Sequence, residues 1–296
     1  MTVFQDKLIG EFKSKGLADT TIKGYINSLT NMNCKKSLTT LDFLYDTKQV
    51  DECLSRFKES SQKTMLTAVC SVLKMKGMND LHKYYFELLV KKANETKNIP
   101  NEKTDKQKEN WMEWKDVIKI KNKLHRDDHI HGNRIKHLAI SLFTDIPPRR
   151  TLDYTLMDVV KRYTDKLDKE RNYLVLDDNL LIFNRYKTSR KYGQQTIRIP
   201  PALRNSIDEY LAEHPLRKEK LSQYPLLTNK EGQPFKGSNS LTMLLNAAFG
   251  KKVSASMLRH IYLSNEFGDE LKHRQEVAKD MGHSVSQQAD YIKFDE

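Results

Sequence analysis

The sequence predicts a mainly α-helical protein with one small antiparallel β-sheet, arranged as two domains. Three observations predict it. Apolar residues recur at helical spacing through the first hundred positions and again after Trp111. Three short β-prone runs stand together between Tyr173 and Ile199. Between the helical regions, Asn94–Asn110 reads NETKNIPNEKTDKQKEN, which is densely charged, nearly free of apolar residues and interrupted by a proline. Such a stretch reads as a linker. The expected organisation is a helical module over 1–95, a linker over 96–110 and a second domain over 111–296.

In the first module, Phe4, Leu8, Ile9 and Phe12 share one helix face, and Gly16 supplies a stop. Asp19 or Thr20 is placed to cap a second helix carrying Ile22, Tyr25, Ile26 and Leu29. A third helix is expected over Val50–Phe57, and a fourth after Ser60–Ser61 with Met65, Leu66, Val69, Val72 and Leu73 inward. Tyr84–Lys92 makes a fifth. The second domain opens with the helical period of WMEWKDVIKIKNKL from Trp111, and Ile135–Phe143 follows, ending before Pro147–Pro148. The strands are expected at Tyr173–Leu176, Leu180–Asn184 and Gln195–Ile199, separated by Asp-Asp-Asn and by Lys-Tyr-Gly. Helical pattern resumes at Ala202–Leu211, Leu241–Phe249, Ser256–Phe267, Arg274–Met281 and Ala289–Phe294.

The chain has 296 residues, and its 51 Lys and Arg exceed its 39 Asp and Glu by 12. That excess favours a polyanionic partner, because a cation set against a phosphate releases a condensed counterion. With 38% hydrophobic and 9% aromatic residues, the chain can still build real cores, so disorder throughout is excluded. Cys34, Cys53 and Cys70 are odd in number and form no CxxC pair. They are expected as buried small apolar residues of an intracellular protein, with neither a zinc site nor a disulfide. The charged N-terminal stretch is not a signal peptide, and no apolar run is long enough to span a membrane.

Five elements of the second domain carry groups suited to chemistry. They are Pro-Pro-Arg149-Arg150-Thr-Leu-Asp153, Arg-Tyr-Lys187-Thr, Ser256-Met-Leu-Arg259-His260, Met-Gly282-His283-Ser and Asp-Tyr291-Ile. Singly, each has an ordinary explanation as a solvated charge, a helix cap or a packed ring. Together they suit phosphodiester transfer. A tyrosine hydroxyl, with a pKa of about 10, attacks well only if its proton is accepted and its target is electrophilic. Two guanidiniums can clamp the non-bridging phosphate oxygens and stabilise the charge of the transition state. An imidazole can add a hydrogen bond, and an ammonium can protonate the departing sugar oxygen, a task ill suited to arginine. This chemistry needs no metal and no cofactor, and the sequence offers no acidic cluster to hold a metal.

On these residues the chain resembles the tyrosine recombinase (phage integrase) family. Leu258-Arg259-His260-Ile-Tyr-Leu-Ser resembles its second-arginine box, and Met281-Gly282-His283-Ser284 its Leu-Gly-His-Ser box. Tyr291 follows His283 at close to the family's spacing. Tyr186-Lys187-Thr188 resembles the family's hairpin lysine, and Thr144–Asp153 its first-arginine box. The similarity spans Trp111 to the end, and the helical module suits the family's core-binding domain.

The resemblance implies a two-domain C-shaped clamp around double-stranded DNA and self-association as a dimer or tetramer on it. It also implies that Tyr291 attacks to form a 3′-phosphotyrosine, that Lys187 protonates the leaving oxygen, and that Arg150, Arg259 and His283 stabilise the transition state. Three departures stand out. Ser256 occupies the position where the family usually has histidine, so His283, His260 or water would take the proton from Tyr291. Arg150 has the family's spacing to Asp153, but Arg149 is an alternative. Only five residues follow Tyr291, whereas many members of the family extend a C-terminal helix into a neighbouring subunit, so either the tyrosine helix itself is shared, assembly uses other contacts, or the sequence is a shortened one. Arg185, Arg190 and Lys191 on the hairpin, and Lys23, Lys35, Lys36 and Lys63 in the first module, are expected to meet DNA phosphates. The rival readings are a type IB topoisomerase, which tolerates a residue other than histidine at the position of Ser256, and a catalytically inactive DNA-binding relative.

Overall fold

The computed structural model describes residues 2–95, 102–130, 132–235 and 237–293. The chain divides into two compact units, Met1–Glu102 and Lys103–Glu296.

The first unit is all helical among its described residues. Thr2 starts α1 (Val3–Ser14) with a capping box, its hydroxyl accepting from the Gln5 N–H at 3.2 Å. Gly16 ends that stretch at φ +72°. Next come α2 (Asp19–Met32), a 3₁₀ turn at Asp42–Tyr45, α3 (Thr47–Ser55), α4 (Glu59–Lys76) and α5 (Asn79–Glu95). Asp19 does not cap α2. Ala18 stands at that position without a side-chain bond, and Asp19 is the first helical residue, where its charge suits the helix dipole. Leu8, Phe12, Leu29, Leu66, Val69, Leu73 and Tyr85 form the core, and the buried Tyr85 hydroxyl donates to the Leu44 carbonyl at 2.8 Å.

Cys34 and Cys53, expected as free thiols, are disulfide-bonded, with Cα atoms 5.3 Å apart. The tight turn after α2, where Cys34 and Lys35 take positive φ, brings Cys34 against α3. Nothing in a separation of 19 residues signals that approach. Cys70 stays free and buried.

The second unit begins inside the expected linker. Residues 96–101 lie outside the described residues, whereas Asp105–Asn110 forms α6, capped by Thr104. Asn110 is buried and accepts the Lys252 N–H at 3.0 Å. Then follow α7 (Trp114–Arg126), α8 (Asn133–Thr144), α9 (Thr151–Thr155), β1 (Met157–Val160), β2 (Asn172–Val175), β3 (Leu180–Phe183), α10 (Ser189–Tyr192) and β4 (Gln195–Arg198). The chain continues through α11 (Pro201–Ala212), β5 (Gln223–Pro225), α12 (Gly237–Phe249), α13 (Ala255–Asp280) and α14 (Val285–Tyr291). Among the described residues, no helix is long and apolar enough to cross a membrane.

The molecule is mainly helical as expected, but the sheet is larger than expected and mixed. Its order is β4-β3-β2-β1-β5, with β1 parallel to β2 and the other pairs antiparallel. The sequence concealed β1 because it carries Asp158 within four residues. That carboxylate is buried, paired with Arg171 and accepting from Gln223 Nε2 at 2.7 Å, so one buried charge joins β1, the start of β2 and β5. One sheet face feeds the main core through Val159, Leu174, Leu181 and Phe183, and the other buries Val160, Tyr173, Val175 and Ile182.

Two further elements differ from expectation. The connection from β3 to β4 holds the short helix α10 rather than a bare turn. The helices expected at Ser256–Phe267 and Arg274–Met281 are one helix, α13, of 26 residues. Gly268 weakens its middle by only about 1 kcal/mol, no proline interrupts it, and its Glu, Leu, Lys and Arg residues favour continuation.

Candidate functional site

The first-arginine box lies at the entry to α9, between α8 and the sheet. Arg149 and Arg150 differ sharply there. Arg149 Nε donates to Asp153 Oδ2 at 3.1 Å and its Nη1 to Gln195 Oε1 on β4 at 2.9 Å. Its guanidinium also lies 3.9 Å from the Phe183 ring centre and 5.1 Å from that of Tyr186. Burial raises the pKa of Asp153, while Arg149 pulls it the other way. Arg150 is half-buried, and among the described residues its guanidinium makes no hydrogen bond or ion pair.

Asn172, which carried no signal in the sequence, fastens this box to the lysine loop. Its fully buried amide donates to the Asp153 carbonyl at 2.7 Å and to the Arg185 carbonyl at 3.0 Å. Its Oδ1 accepts the Arg185 N–H at 2.9 Å. Two residues on, Lys187 is exposed at the turn before α10. A signal for Asn172 exists only in hindsight, as a polar residue opening an otherwise apolar strand.

The basic residues have varied settings. Arg185 pairs with Glu170 at 2.8 Å, and Lys191 lies over the Tyr192 ring at 5.0 Å. Arg190 is exposed beside a cleft that also touches Lys169 and Gln194. In the first unit, Lys23 is exposed on α2, Lys35 and Lys36 are exposed on the turn after it, and Lys63 is half-buried on α4.

The second-arginine box forms the first turns of α13, started by Ser254, whose hydroxyl accepts the Met257 N–H at 3.3 Å. Helical spacing buries Leu258 and Ile261 in the core and leaves Arg259 half-buried, without a hydrogen bond or ion pair among the described residues. Ser256 and His260 are exposed and line a cavity of about 440 Å³, with Gln107, Asn246 and Lys252.

At the other end of α13, the Gly282-His283-Ser284 run has a clear local role. Gly282 takes φ +71°, and the His283 N–H donates back to the Ala278 carbonyl at 3.0 Å, closing α13. Ser284 opens α14 with a capping box to Gln287. His283 is thus held at the junction of two helices, and Arg274 Nε reaches Gln288 Oε1 at 3.2 Å to tie them together. The imidazole stacks on Tyr291, with ring centres 5.7 Å apart and planes 28° apart. His283 Nδ1 stands 3.2 Å from the Ser284 carbonyl. A carbonyl only accepts, so Nδ1 faces it with a proton, and in the neutral ring that tautomer puts the lone pair on Nε2. Nε2 is buried without a partner among the described residues, while Tyr291 is 71% exposed.

The structure therefore brings together Arg149, Asp153 and the lysine loop at one place, Ser256, Arg259 and His260 at a second, and His283 and Tyr291 at a third. The second and third are apart. From Arg259 to Asp280 the chain climbs one unbroken helix, and at about 1.5 Å per residue that is roughly 30 Å.

No protein-family model matches the chain, and no curated protein matches it. Among solved structures, the chain is similar to the crystal structure of XerA recombinase, with 13% identity and a TM-score of 0.37, over 99% of this chain and 94% of that one.

Proposed function

We propose that this chain is a site-specific DNA recombinase that cuts and rejoins duplex DNA through a 3′-phosphotyrosine intermediate. The observation that carries the reading is the pairing of Tyr291 with His283. An exposed phenol stacks on an imidazole whose neutral form, with Nδ1 turned to the Ser284 carbonyl, has Nε2 to accept a proton. With Ser256 unable to act as a base, His283 takes the proton as Tyr291 attacks. Arg150 and Arg259 clamp the phosphate oxygens, and their unengaged guanidiniums support that assignment. Arg149 is instead held by Asp153, Gln195 and Phe183, which makes it a positioning residue. Lys187, exposed on the loop that Asn172 fastens to the arginine box, protonates the leaving oxygen. The basic residues of each unit meet DNA phosphates.

One phosphate needs Arg259 and Tyr291 together, so on DNA either α13 breaks at Gly268 or a second chain supplies the tyrosine. A nicked suicide substrate tests the chemistry: wild type should leave a denaturant-resistant protein–DNA adduct, and Tyr291→Phe should leave none while still binding. An adduct surviving in Tyr291→Phe overturns the nucleophile. Mixing Tyr291→Phe with Arg259→Ala then separates the routes, because restored cleavage means the tyrosine comes from a second chain. The exposed serine at position 256 favours a second reading, a type IB topoisomerase, which relaxation of supercoiled plasmid by a monomer would support.

A further inference from the structure

A cluster on the helical side of the second unit, apart from the residues assigned above, has the composition of a metal site. His125 lies in the last turn of α7, His137 in the first turns of α8, and Glu209 in α11. Each offers one donor atom, and the three atoms lie within 4.8 Å of one another. His125 Nδ1 stands 3.3 Å from Glu209 Oε2. Two donors bound at about 2.0–2.2 Å to one tetrahedral cation stand roughly 3.3–3.6 Å apart, so this pair already has the spacing a shared ion would impose. The His125 and His137 rings lie with centres 5.0 Å apart.

His137 supplies the second observation. It is 7% exposed, and among the described residues its imidazole makes no hydrogen bond. No protein group among the described residues engages its ring nitrogens, so a lone pair is available to an ion. The nearby cations do not oppose a divalent ion unchecked. Lys121, one turn before His125, is paired with Asp145, and Arg134 is paired with Asp128 and Glu213. His125 is half-exposed, which gives the ion a route in and leaves room for a water as fourth donor.

We propose that His125, His137 and Glu209 form a binding site for one divalent transition-metal ion, best suited to Zn²⁺, that fastens α7 and α11 to α8. Two imidazoles and one carboxylate fit a borderline-soft ion better than Mg²⁺ or Ca²⁺, which prefer all-oxygen shells. Because the donors come from three helices, the ion would bind the folded state in preference to the unfolded one and so raise stability.

The test uses the full chain with Zn²⁺ as the only added ligand. After dialysis against Zn²⁺ and then metal-free buffer, the wild type should retain one equivalent by elemental analysis, and Zn²⁺ should raise its Tm. His125→Ala, at a half-exposed position that the fold tolerates, should lose that equivalent and the Tm shift. Glu209→Gln, which keeps the side chain's shape, should weaken Zn²⁺ binding by at least about tenfold. His273→Ala, at an exposed histidine elsewhere on α13, should behave as wild type. Failure of the wild type to retain Zn²⁺, or retention of the same equivalent by His125→Ala, would overturn the proposal. Neither result depends on DNA cleavage.

Discussion

Replacing Arg149 separates a residue that holds the fold from its neighbour Arg150, which is proposed to meet phosphate. Arg149 is 15% exposed at its side chain and Asp153 only 3%, so Arg149→Ala leaves a buried carboxylate without its main partner. Breaking such a pair costs about 3–5 kcal/mol, and the lost bond to Gln195 and the lost stacking on Phe183 overlap that figure rather than add to it. For a unit of this size the loss corresponds to a fall in Tm of roughly 6–20 °C. Arg150→Ala should instead change stability by about 1 kcal/mol or less, since its half-buried guanidinium makes no hydrogen bond or ion pair among the described residues and acts on Asp153 only through space.

The pH dependence carries a second signature. Asp153 already has its pKa raised by burial, and losing Arg149 raises it further. A carboxyl with a folded pKa above its unfolded value binds protons more readily when folded. Stability is therefore gained as pH falls through that window, and the deficit of Arg149→Ala should shrink on acidification. Urea unfolding of both single variants at neutral and mildly acid pH, with Arg149→Ala/Asp153→Asn alongside, measures all of this. The double variant should be more stable than Arg149→Ala alone. A loss below about 1 kcal/mol in Arg149→Ala, or no recovery in the double variant, would refute the buried-pair reasoning.

Two further outcomes can be checked directly. Lys187→Ala should cripple cleavage of ordinary DNA yet largely spare a substrate with a 5′-bridging sulfur, because a thiolate leaves without a proton; equal losses in a rate comparison of the two would show that Lys187 only holds the backbone. His214 should make the second unit acid-labile: burial lowers its pKa, its Nε2 faces the Pro225 carbonyl at 3.1 Å, and its Nδ1 accepts the Leu216 N–H at 3.2 Å, so the folded state holds it neutral. The unfolded imidazole takes up a proton first, near pH 6.5, so stability should fall as pH drops through that region, and unfolding midpoints should show a shallower fall in His214→Gln. His137, lowered by the same burial, contributes with the same sign and leaves part of the slope in place.

Local pattern made much of the chain legible. Periodicity located α1 to α5, α7, α8, α11 and α12 within a few residues, because an amphipathic stripe is written in adjacent turns. The three strands that follow one another, β2, β3 and β4, were legible for the same reason. Arg259-His260, Gly282-His283 and Tyr291 were singled out for the same reason, by fixed spacings along the chain, which carry no information on whether they meet in space.

What the sequence by itself determined is the inventory: helical faces, turn residues, basic excess and the spacing of its polar and ionisable side chains. What only the tertiary structure decided is which of those groups meet. The parallel pairing of β1 with β2, the Cys34–Cys53 bond and the gathering of His125, His137 and Glu209 join residues with no local periodicity between them. The difference between Arg149 and Arg150 is of the same kind, because adjacent arginines are alike until Asp153, Gln195 and Phe183 surround one of them. The unbroken run of α13 likewise sets Arg259 far from His283, although their order along the chain suits a single site. In each case the deciding interaction is long-range packing, whose partners are set by the folded chain rather than by neighbours in sequence.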